Sequence, residues 1–506
     1  MNIDMSKEKP WITPFKKQCF VTLGVSLNMS SHGVVMGFTA ILLPQLRKPE
    51  SIIPINDASG SWIAAIVGFA LIVGNFIVPS VMGNFGRRTA NIVSIAPLIS
   101  GWFCIVMANS ITVLLIARFL QGVAMGMTSS LCPVLIGEYT SPKNRGAFLM
   151  TISLAIASGV LTVHTLGSFL NWPHVAIACA FIAFIDLLIV IYSPESPSFL
   201  ADQGRYDECR KVFRWLRGDG EEDELTRMIE TNIALREVKN QIDSSESFIQ
   251  CIKRNVTYFR LTIKKREFYK PIFIMIHLYI LLQFCGANLL SAYTVDIFDN
   301  IVGQKVDVAL QIIALSTQRL ISNGCALLVI KRVKRRTMLF ITISLNLIAY
   351  LTIAAYAYCR TRGLLPFDHP LIGVFLIHLH MFSIATGTIP LPFIIAGELF
   401  PLQYRSLSSG ISVLFLSTYL FLTMKTAPLL FASLGIHGAY IIYAAVILYC
   451  LVIIWRFLPE TKDRTLQDIE EEFRGRPLSP EDLKTAQSLL SLKYAIRDRR
   501  CSSPAI

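Results

Sequence analysis

The chain has 506 residues, of which 53% are hydrophobic and only 16% charged, with a net charge of +13 and a mean hydropathy of +0.54. A soluble domain carries roughly 25% charged residues, so this composition excludes an ordinary water-soluble enzyme and points to a membrane solvent. The basic surplus invites a nucleic-acid partner, and the placement of the positive charge argues against one.

Twelve apolar stretches follow one another, each long enough to cross a hydrocarbon core of roughly 30 Å. A basic segment over 1–17, with Lys7, Lys9, Lys16 and Lys17, leads into six of them, centred on 18–44, 61–82, 90–108, 112–136, 147–169 and 174–192. These make a first half over 18–192. A polar loop, 193–270, opens on Pro194-Glu-Ser-Pro197, and its apolar residues Tyr206, Cys209, Val212, Phe213 and Leu216, then Leu225, Ile229 and Ile233, recur at helical spacing. The spacing predicts short amphipathic helices packed under the bundle. Six further stretches, at 272–298, 308–330, 338–358, 371–396, 408–432 and 437–457, make a second half over 271–458. The tail, 459–506, predicts an acidic helix from Leu466 to Phe473 and another around Leu483 to Ile496.

Positive charge falls on alternate loops. Arg87, Arg88, Lys143, Arg145, Lys331, Arg332, Lys334, Arg335, Arg336 and Arg405 all lie between even and odd stretches, whereas 109–111 and 170–173 carry no Lys or Arg and the first loop only Arg47 and Lys48. By the positive-inside rule both termini and the 193–270 loop are expected in the cytoplasm. The partner of the basic surplus is then a lipid bilayer and not a nucleic acid. The 11 cysteines contain no Cys-x-x-Cys pair, so neither a disulfide framework nor a zinc site is predicted. With no phosphate-binding loop, Gly-x-Ser-x-Gly or His-Glu-x-x-His, the reading is of a non-enzyme needing no cofactor or metal.

The halves repeat each other. Gly137-Glu138 with Arg145 recurs as Gly397-Glu398 with Arg405, Arg87-Arg88 as Arg335-Arg336, and Pro194-Glu195 as Pro459-Glu460, all in the same order. A duplicated six-helix unit explains all three pairs, and parallel repeats of this kind build transporters whose substrate site lies between the halves.

These strings, with Arg118-Phe-Leu-Gln-Gly122, Pro194-Glu-Ser-Pro197, Gln283 to Asn288, Gly397-Glu-Leu-Phe-Pro401 and Pro459-Glu-Thr-Lys-Asp-Arg-Thr465, resemble the sugar porter family of the major facilitator superfamily. The loop elements Gly204-Arg205-Tyr206 and Trp215-Leu-Arg-Gly218 are similar to its insect facilitated trehalose and glucose transporter branch. The resemblance implies an all-α membrane fold of twelve spans in two six-helix repeats with a helical loop. It also implies a conformational latch: Arg87, Arg88, Arg118, Glu138, Arg145 and Glu195 facing Arg335, Arg336, Glu398, Arg405 and Glu460, bracing an outward-facing state through charge-assisted pairs. Helix-end capping and contact with lipid headgroups are the plainer alternatives for these charges.

For a sugar, the resemblance implies convergent amides and hydroxyls: Gln283 and Asn288 foremost, Ser153 and Tyr293 beside them. This chain departs from the family pattern at Leu282, Ser153, Leu391, Thr388, Leu416 and Leu420, which stand where amide, Trp or Pro side chains are usual, and at Arg319, near the family's eighth-span Asn. Lys331 and Lys334 likewise replace an acid and a glycine. Arg319 and Lys425 lie inside apolar runs, where a cation is costly unless it faces water or a partner. They suggest a second reading, a cavity with fixed positive charge for an anionic solute. Proton-coupled relatives carry an Asp in the first span; Cys19 to Gln45 has neither Asp nor Glu, and only His32 titrates near neutrality. The expectation is therefore facilitated diffusion of a hexose or trehalose across a cell membrane, with another solute or a non-transporting nutrient receptor as the rival readings.

Overall fold

A computed structural model describes residues 13–240, 257, 259–303, 307–330, 332–365, 369–401, 405–462, 464 and 466–476. The helices of the first half are α1 (Pro14–Leu46), α2 (Asp57–Phe85), α3 (Arg87–Val106), α4 (Ile111–Tyr139), α5 (Pro142–Phe169) and α6 (Trp172–Tyr192). Short helices α7 (Pro197–Asp202), α8 (Tyr206–Arg217) and α9 (Glu222–Asn240) follow in the loop. The second half holds α10 (Arg266–Phe284), α11 (Ala287–Ala292), α12 (Thr294–Ile301), α13 (Val308–Ile330), α14 (Arg335–Thr361), α15 (Pro370–Ser383), α16 (Pro390–Leu399) and α17 (Arg405–Phe457), and α18 (Leu466–Arg474) follows.

Among the described residues eleven helices are long and apolar enough to span a membrane. The eleventh is two spans run together: α17 has 53 residues and turns at Gly435, whose φ of 69° is non-helical. The architecture is thus the twelve-span one, with two spans built differently from a plain helix. The seventh is broken into α10, α11 and α12, and the tenth passes from α15 through a π-helical turn at Ile384–Thr388 into α16. Helix starts follow local chemistry. Asn56 and Ser59 form a capping box at α2, and Pro14, Pro142 and Pro197 occupy first turns, where the missing N–H costs nothing. Large apolar side chains such as Phe76, Phe103, Phe169 and Phe181 are more than half exposed, a surface that suits lipid and would aggregate in water.

Lipid offers no hydrophobic drive between helices, so close backbone approach at small residues holds the first half together. A Cβ on Gly33 would lie 2.0 Å from the Ile156 carbonyl oxygen, and one on Gly159 2.0 Å from that of Ser30, where α1 crosses α5. Where α2 crosses α4, a Cβ added to Gly74 would lie 2.1 Å from the Val123 carbonyl oxygen and one on Gly126 2.2 Å from that of Leu71.

The loop helices form a small core of Leu200, Ala201, Cys209, Phe213, Leu225 and Ile229. They dock on the first half: Gln18 Nε2 donates to the Leu216 carbonyl (3.1 Å) and Arg217 Nη2 to that of Glu138 (3.3 Å). The α18 helix docks on the second half through Lys270 Nζ and the Phe473 carbonyl, 3.2 Å. The helix expected around Leu483 to Ile496 lies outside the described residues.

The crossing geometry generates a test. Gly74→Val and Gly159→Val should each lower the thermal midpoint of detergent-purified protein, since overpacking a close crossing costs about 1–3 kcal/mol. Gly410→Ala, where an added Cβ meets nothing within 4 Å, should leave the midpoint in place.

Candidate functional site

The seventh span stops at Gly286, which has φ 92° and ψ 3°. A Cβ there would lie 2.5 Å from Tyr350 Oη, so position and conformation both demand glycine. Breaking a helix frees carbonyls that hydrocarbon cannot satisfy. Three side chains of α14 and α15 take them up: Tyr350 Oη donates to the Phe284 carbonyl (2.8 Å), and Asn346 Nδ2 (3.3 Å) and His380 Nε2, in the tautomer that carries its proton there, (2.9 Å) donate to that of Cys285. The next irregularity, at Tyr293, is pinned by its hydroxyl to the Met424 carbonyl of α17, 3.1 Å.

Between these breaks lies a polar seam. Asn288 Nδ2 donates to Gln283 Oε1 (2.8 Å), and Gln283 Nε2 to the Leu416 carbonyl (3.3 Å). One turn along, Ser291 Oγ accepts from Arg319 Nη1 at 2.6 Å. His164 of the first half reaches across, its Nδ1 2.7 Å from Ser316 Oγ and its Nε2 3.3 Å from the Ser291 carbonyl oxygen. Gln283, Asn288, Tyr293 and Arg319 are therefore brought together, and His164, Ser291 and Ser316 complete the group. His164 had no motif to announce it; a lone polar residue in an apolar stretch was its one signal.

Other expected residues stand elsewhere. Ser153 is half-buried on α5 and has no hydrogen bond to the seam. Lys425 donates to Ser61 Oγ at 2.8 Å and lies 4.1 Å over the Trp62 ring. It leans to the first turns of α2, so Arg319 and Lys425 do not line one charged cavity. Arg118 is also corrected. It sits 20 residues before Glu138 on one helix, about 30 Å at 1.5 Å per residue, too far for a latch at the other end. Its guanidinium is fully buried among neutral acceptors: the Val35 and Ile63 carbonyls, Gln121 Oε1 and Thr39 Oγ1.

The expected latch residues form two closed networks related by the repeat. In the first half Glu195 accepts from the backbone N–H groups of Arg87 (2.9 Å) and Arg88 (3.1 Å), a carboxylate on the N-terminus of α3. Glu460 does the same for Arg335 (3.0 Å) and Arg336 (3.2 Å) at α14. The Arg87 guanidinium pairs with Glu138 at 3.1 Å, and that of Arg335 with Glu398 at 3.3 Å. Ser196 donates to Glu138, and Thr461 to Glu398 at 2.6 Å. Arg88 donates to the Ile191 carbonyl and Arg336 to that of Trp455, 2.6 Å. Gly86, at φ 96°, lets Glu195 approach; a Cβ there would stand 2.3 Å from its Oε2. Lys334 replaces glycine in the second network because its backbone is extended, φ −62°.

Among the described residues each network closes inside its own half, and no ion pair joins the two. Arg145 joins neither, and its Nε has no partner. The Arg405 side chain lies outside the described residues. Among the described residues, the ion pair that does join the halves is at the opposite face, Arg47 Nη1 to Asp296 Oδ1 at 2.7 Å. Beside it a cavity of about 230 Å³ is lined in part by Gln45, Lys48, His164, Ser168, Val295 and Ile312.

With broken spans around a polar seam and a twofold-repeated helix bundle established, the wider likeness is informative. The family model for "Sugar (and other) transporter" matches residues 19–473. The chain belongs to that family. It is 28% identical over 473 residues to the facilitated trehalose transporter Tret1 of Culex quinquefasciatus, covering 92% of this chain and 88% of the relative. It is 25% identical to that of Apis mellifera ligustica, covering 91% and 89%, and 28% identical to that of Drosophila yakuba, of which it spans 52%. In fold it is similar to the inward open xylose transporter XylE from E. coli, with a TM-score of 0.70, 18% identity and coverage of 91% of this chain and all of that one. It is therefore a multi-pass membrane protein of the major facilitator fold and not an enzyme.

Two outcomes follow from the ion pairs. Glu138→Gln and Glu398→Gln should cost similar stability, about 1.5–3 kcal/mol for a lost charged hydrogen-bond partner, read as matched drops in thermal midpoint; a drop in one alone would break the equivalence of the networks. Asp296→Asn should shift the conformational balance only about twofold toward opening at that face, since exposed pairs contribute about 0.2–1 kcal/mol. Alkylation rates at a cysteine placed at Ser168 read that shift, and exchanging the charges of Arg47 and Asp296 should restore it.

Proposed function

We propose that the protein carries a sugar across a membrane by facilitated diffusion, its halves rocking about the seam between them. The observation that carries this reading is the Gln283–Asn288 amide pair at a break in the seventh span, where irregular backbone is tolerated because it lines a site. Paired amides there exchange their mutual bond for sugar hydroxyls at small net cost. Ser153 and Tyr293 are secondary contacts; trehalose is the solute favoured by the named activity of the insect relatives, and a hexose such as glucose is carried beside it. Arg118 supports the uncoupled mechanism: its acceptors are neutral, so no carboxylate beside it takes up and releases a proton.

The basic-loop face, with both termini and the 193–270 loop, is assigned to the cytoplasm, and a plasma-membrane location fits uptake of a circulating sugar. The five-part division at 17/18, 192/193, 270/271 and 458/459 goes with this topology. When the basic face closes, the two Glu–Arg networks approach each other and act as its latch; the Arg47–Asp296 pair holds the opposite face.

Counterflow in proteoliposomes tests this. Labelled glucose or trehalose should equilibrate without accumulating, and a protonophore should leave the plateau where it was. Gln283→Ala should weaken the apparent affinity roughly five- to 150-fold, the equivalent of about 1–3 kcal/mol for an unmade buried hydrogen bond. Sugar flux indifferent to Gln283, or a plateau collapsed by protonophore, would remove respectively the site or the uncoupled mechanism.

A further inference from the structure

Arg319 is 11 residues into α13, roughly 16 Å along the helix axis at 1.5 Å per residue, and therefore deep in the span. It is 5% exposed. A guanidinium presents five N–H donors, and the bond recorded for this one goes to the neutral Ser291 hydroxyl, while Nε has no partner. Among the described residues no carboxylate forms an ion pair with it. The groups gathered round it, His164, Ser316 and Ser291, offer hydroxyls, a carbonyl and a ring, and no negative charge. A cation buried in a span at this depth is retained where something neutralises it during function.

The approach from the opposite face has the same character. The residues lining the cavity beside Arg47 include Lys48 and His164 and no Asp or Glu, and His164 is the residue that contacts both Ser316 and Ser291. A path with a cation at each end therefore runs from Lys48 past His164 to Arg319. Next to that charge stand the amides. Asn288 and Ser291 are three residues apart on α11, hence neighbours on one helix face, which sets the amide pair and the serine that holds the guanidinium about 4.5 Å apart along the helix axis.

We propose that the physiological solute is an acidic sugar, a hexuronate whose carboxylate is held by Arg319 while its ring hydroxyls meet Gln283 and Asn288. This rests on the sugar-transport reading above and names the substrate class of the same site. A carboxylate matches the guanidinium fork in shape and carries the single negative charge that one arginine balances. A doubly charged phosphate would leave charge over, and a neutral sugar would leave the arginine unneutralised.

The experiment uses the purified full-length protein in proteoliposomes, with labelled glucuronate, glucose and glucose 6-phosphate measured side by side. Glucuronate is expected to enter, to compete with glucose, and to move faster into vesicles held inside-positive, since it enters as an anion. Arg319→Gln should lower the ratio of glucuronate to glucose flux by at least about tenfold, the scale of one charge-assisted bond. Arg319→Lys, which keeps the charge and loses the fork, should retain part of it. If glucose moves and glucuronate neither enters nor competes, the acidic-sugar assignment is wrong and the sugar reading stands. If glucose 6-phosphate is the preferred anion, the carboxylate assignment is wrong. An equal fall of both fluxes in Arg319→Gln, with the ratio unmoved and the protein still folded by thermal midpoint, makes Arg319 a strut for Ser291 and overturns the proposal. Movement of neither sugar overturns this proposal together with the reading it rests on.

Discussion

Hydrocarbon cannot hydrogen-bond to a free peptide group, and this constraint fixes where the molecule can be irregular. The seventh span breaks at Gly286 only because Tyr350, Asn346 and His380 are placed to receive the Phe284 and Cys285 carbonyls. The break turns α11 so that Asn288 and Ser291 fall on one face, and it leaves Tyr293 to be tied to α17. Sequence, local conformation and site are one chain of cause here. A glycine permits the turn, three polar side chains on neighbouring helices satisfy it, and the polar seam sits where the helix no longer consumes its own donors and acceptors.

A second consequence concerns which parts move together. Each half locks its own basic-face ends by the same device: a glutamate caps the start of its third helix, a second glutamate binds the arginine that begins that helix, and a hydroxyl from the following turn bonds the second glutamate. Glycine crossings bring α1 against α5 and α2 against α4 at backbone contact distance. The networks act inside each half and these crossings inside the first, whereas Gly68 of α2 packs on the α17 backbone across the boundary, where an added Cβ would lie 2.7 Å from the Phe421 nitrogen.

Much of this was legible in the sequence, for identifiable reasons. Hydropathy marks spans because length and apolarity are what a bilayer demands, and duplicated motifs report the repeat because each residue has a counterpart in the other half. Pairing was less legible. The motifs gave Glu138, Arg87, Glu398 and Arg335 as charge partners, and only the fold determines that they pair within a half. Arg118 travelled with the family motif but its depth on α4 separates it from the cluster, as counting residues along the helix would have revealed. Arg145 carries the same repeat signature, and yet among the described residues its Nε has no partner. The roles of His164 and Asp296 were not legible, since a single polar residue acquires meaning only from what stands opposite it. Lys425 read as buried charge, whereas its long chain reaches Ser61 and the Trp62 face near the end of the span.

The contacts between the halves are of a kind suited to being broken on every cycle. They include one exposed ion pair, Arg47–Asp296, and hydrogen bonds from Lys425 to Ser61, from His164 to Ser316 and between Asn75 and Ser417. The neutral bonds and the exposed pair each contribute about 1 kcal/mol or less, and the charged bond of Lys425 about 1.5–3 kcal/mol. A transporter must keep its states within a few kcal/mol of one another for a solute to shift the balance, and strong coupling across this boundary would trap it in one. The charge-assisted networks within each half hold its basic-face helix ends together when the bundle rocks. Arg319 stands apart from both sets: among the described residues its hydrogen bond runs to the neutral Ser291 hydroxyl of its own half, and its Nε is left without a partner.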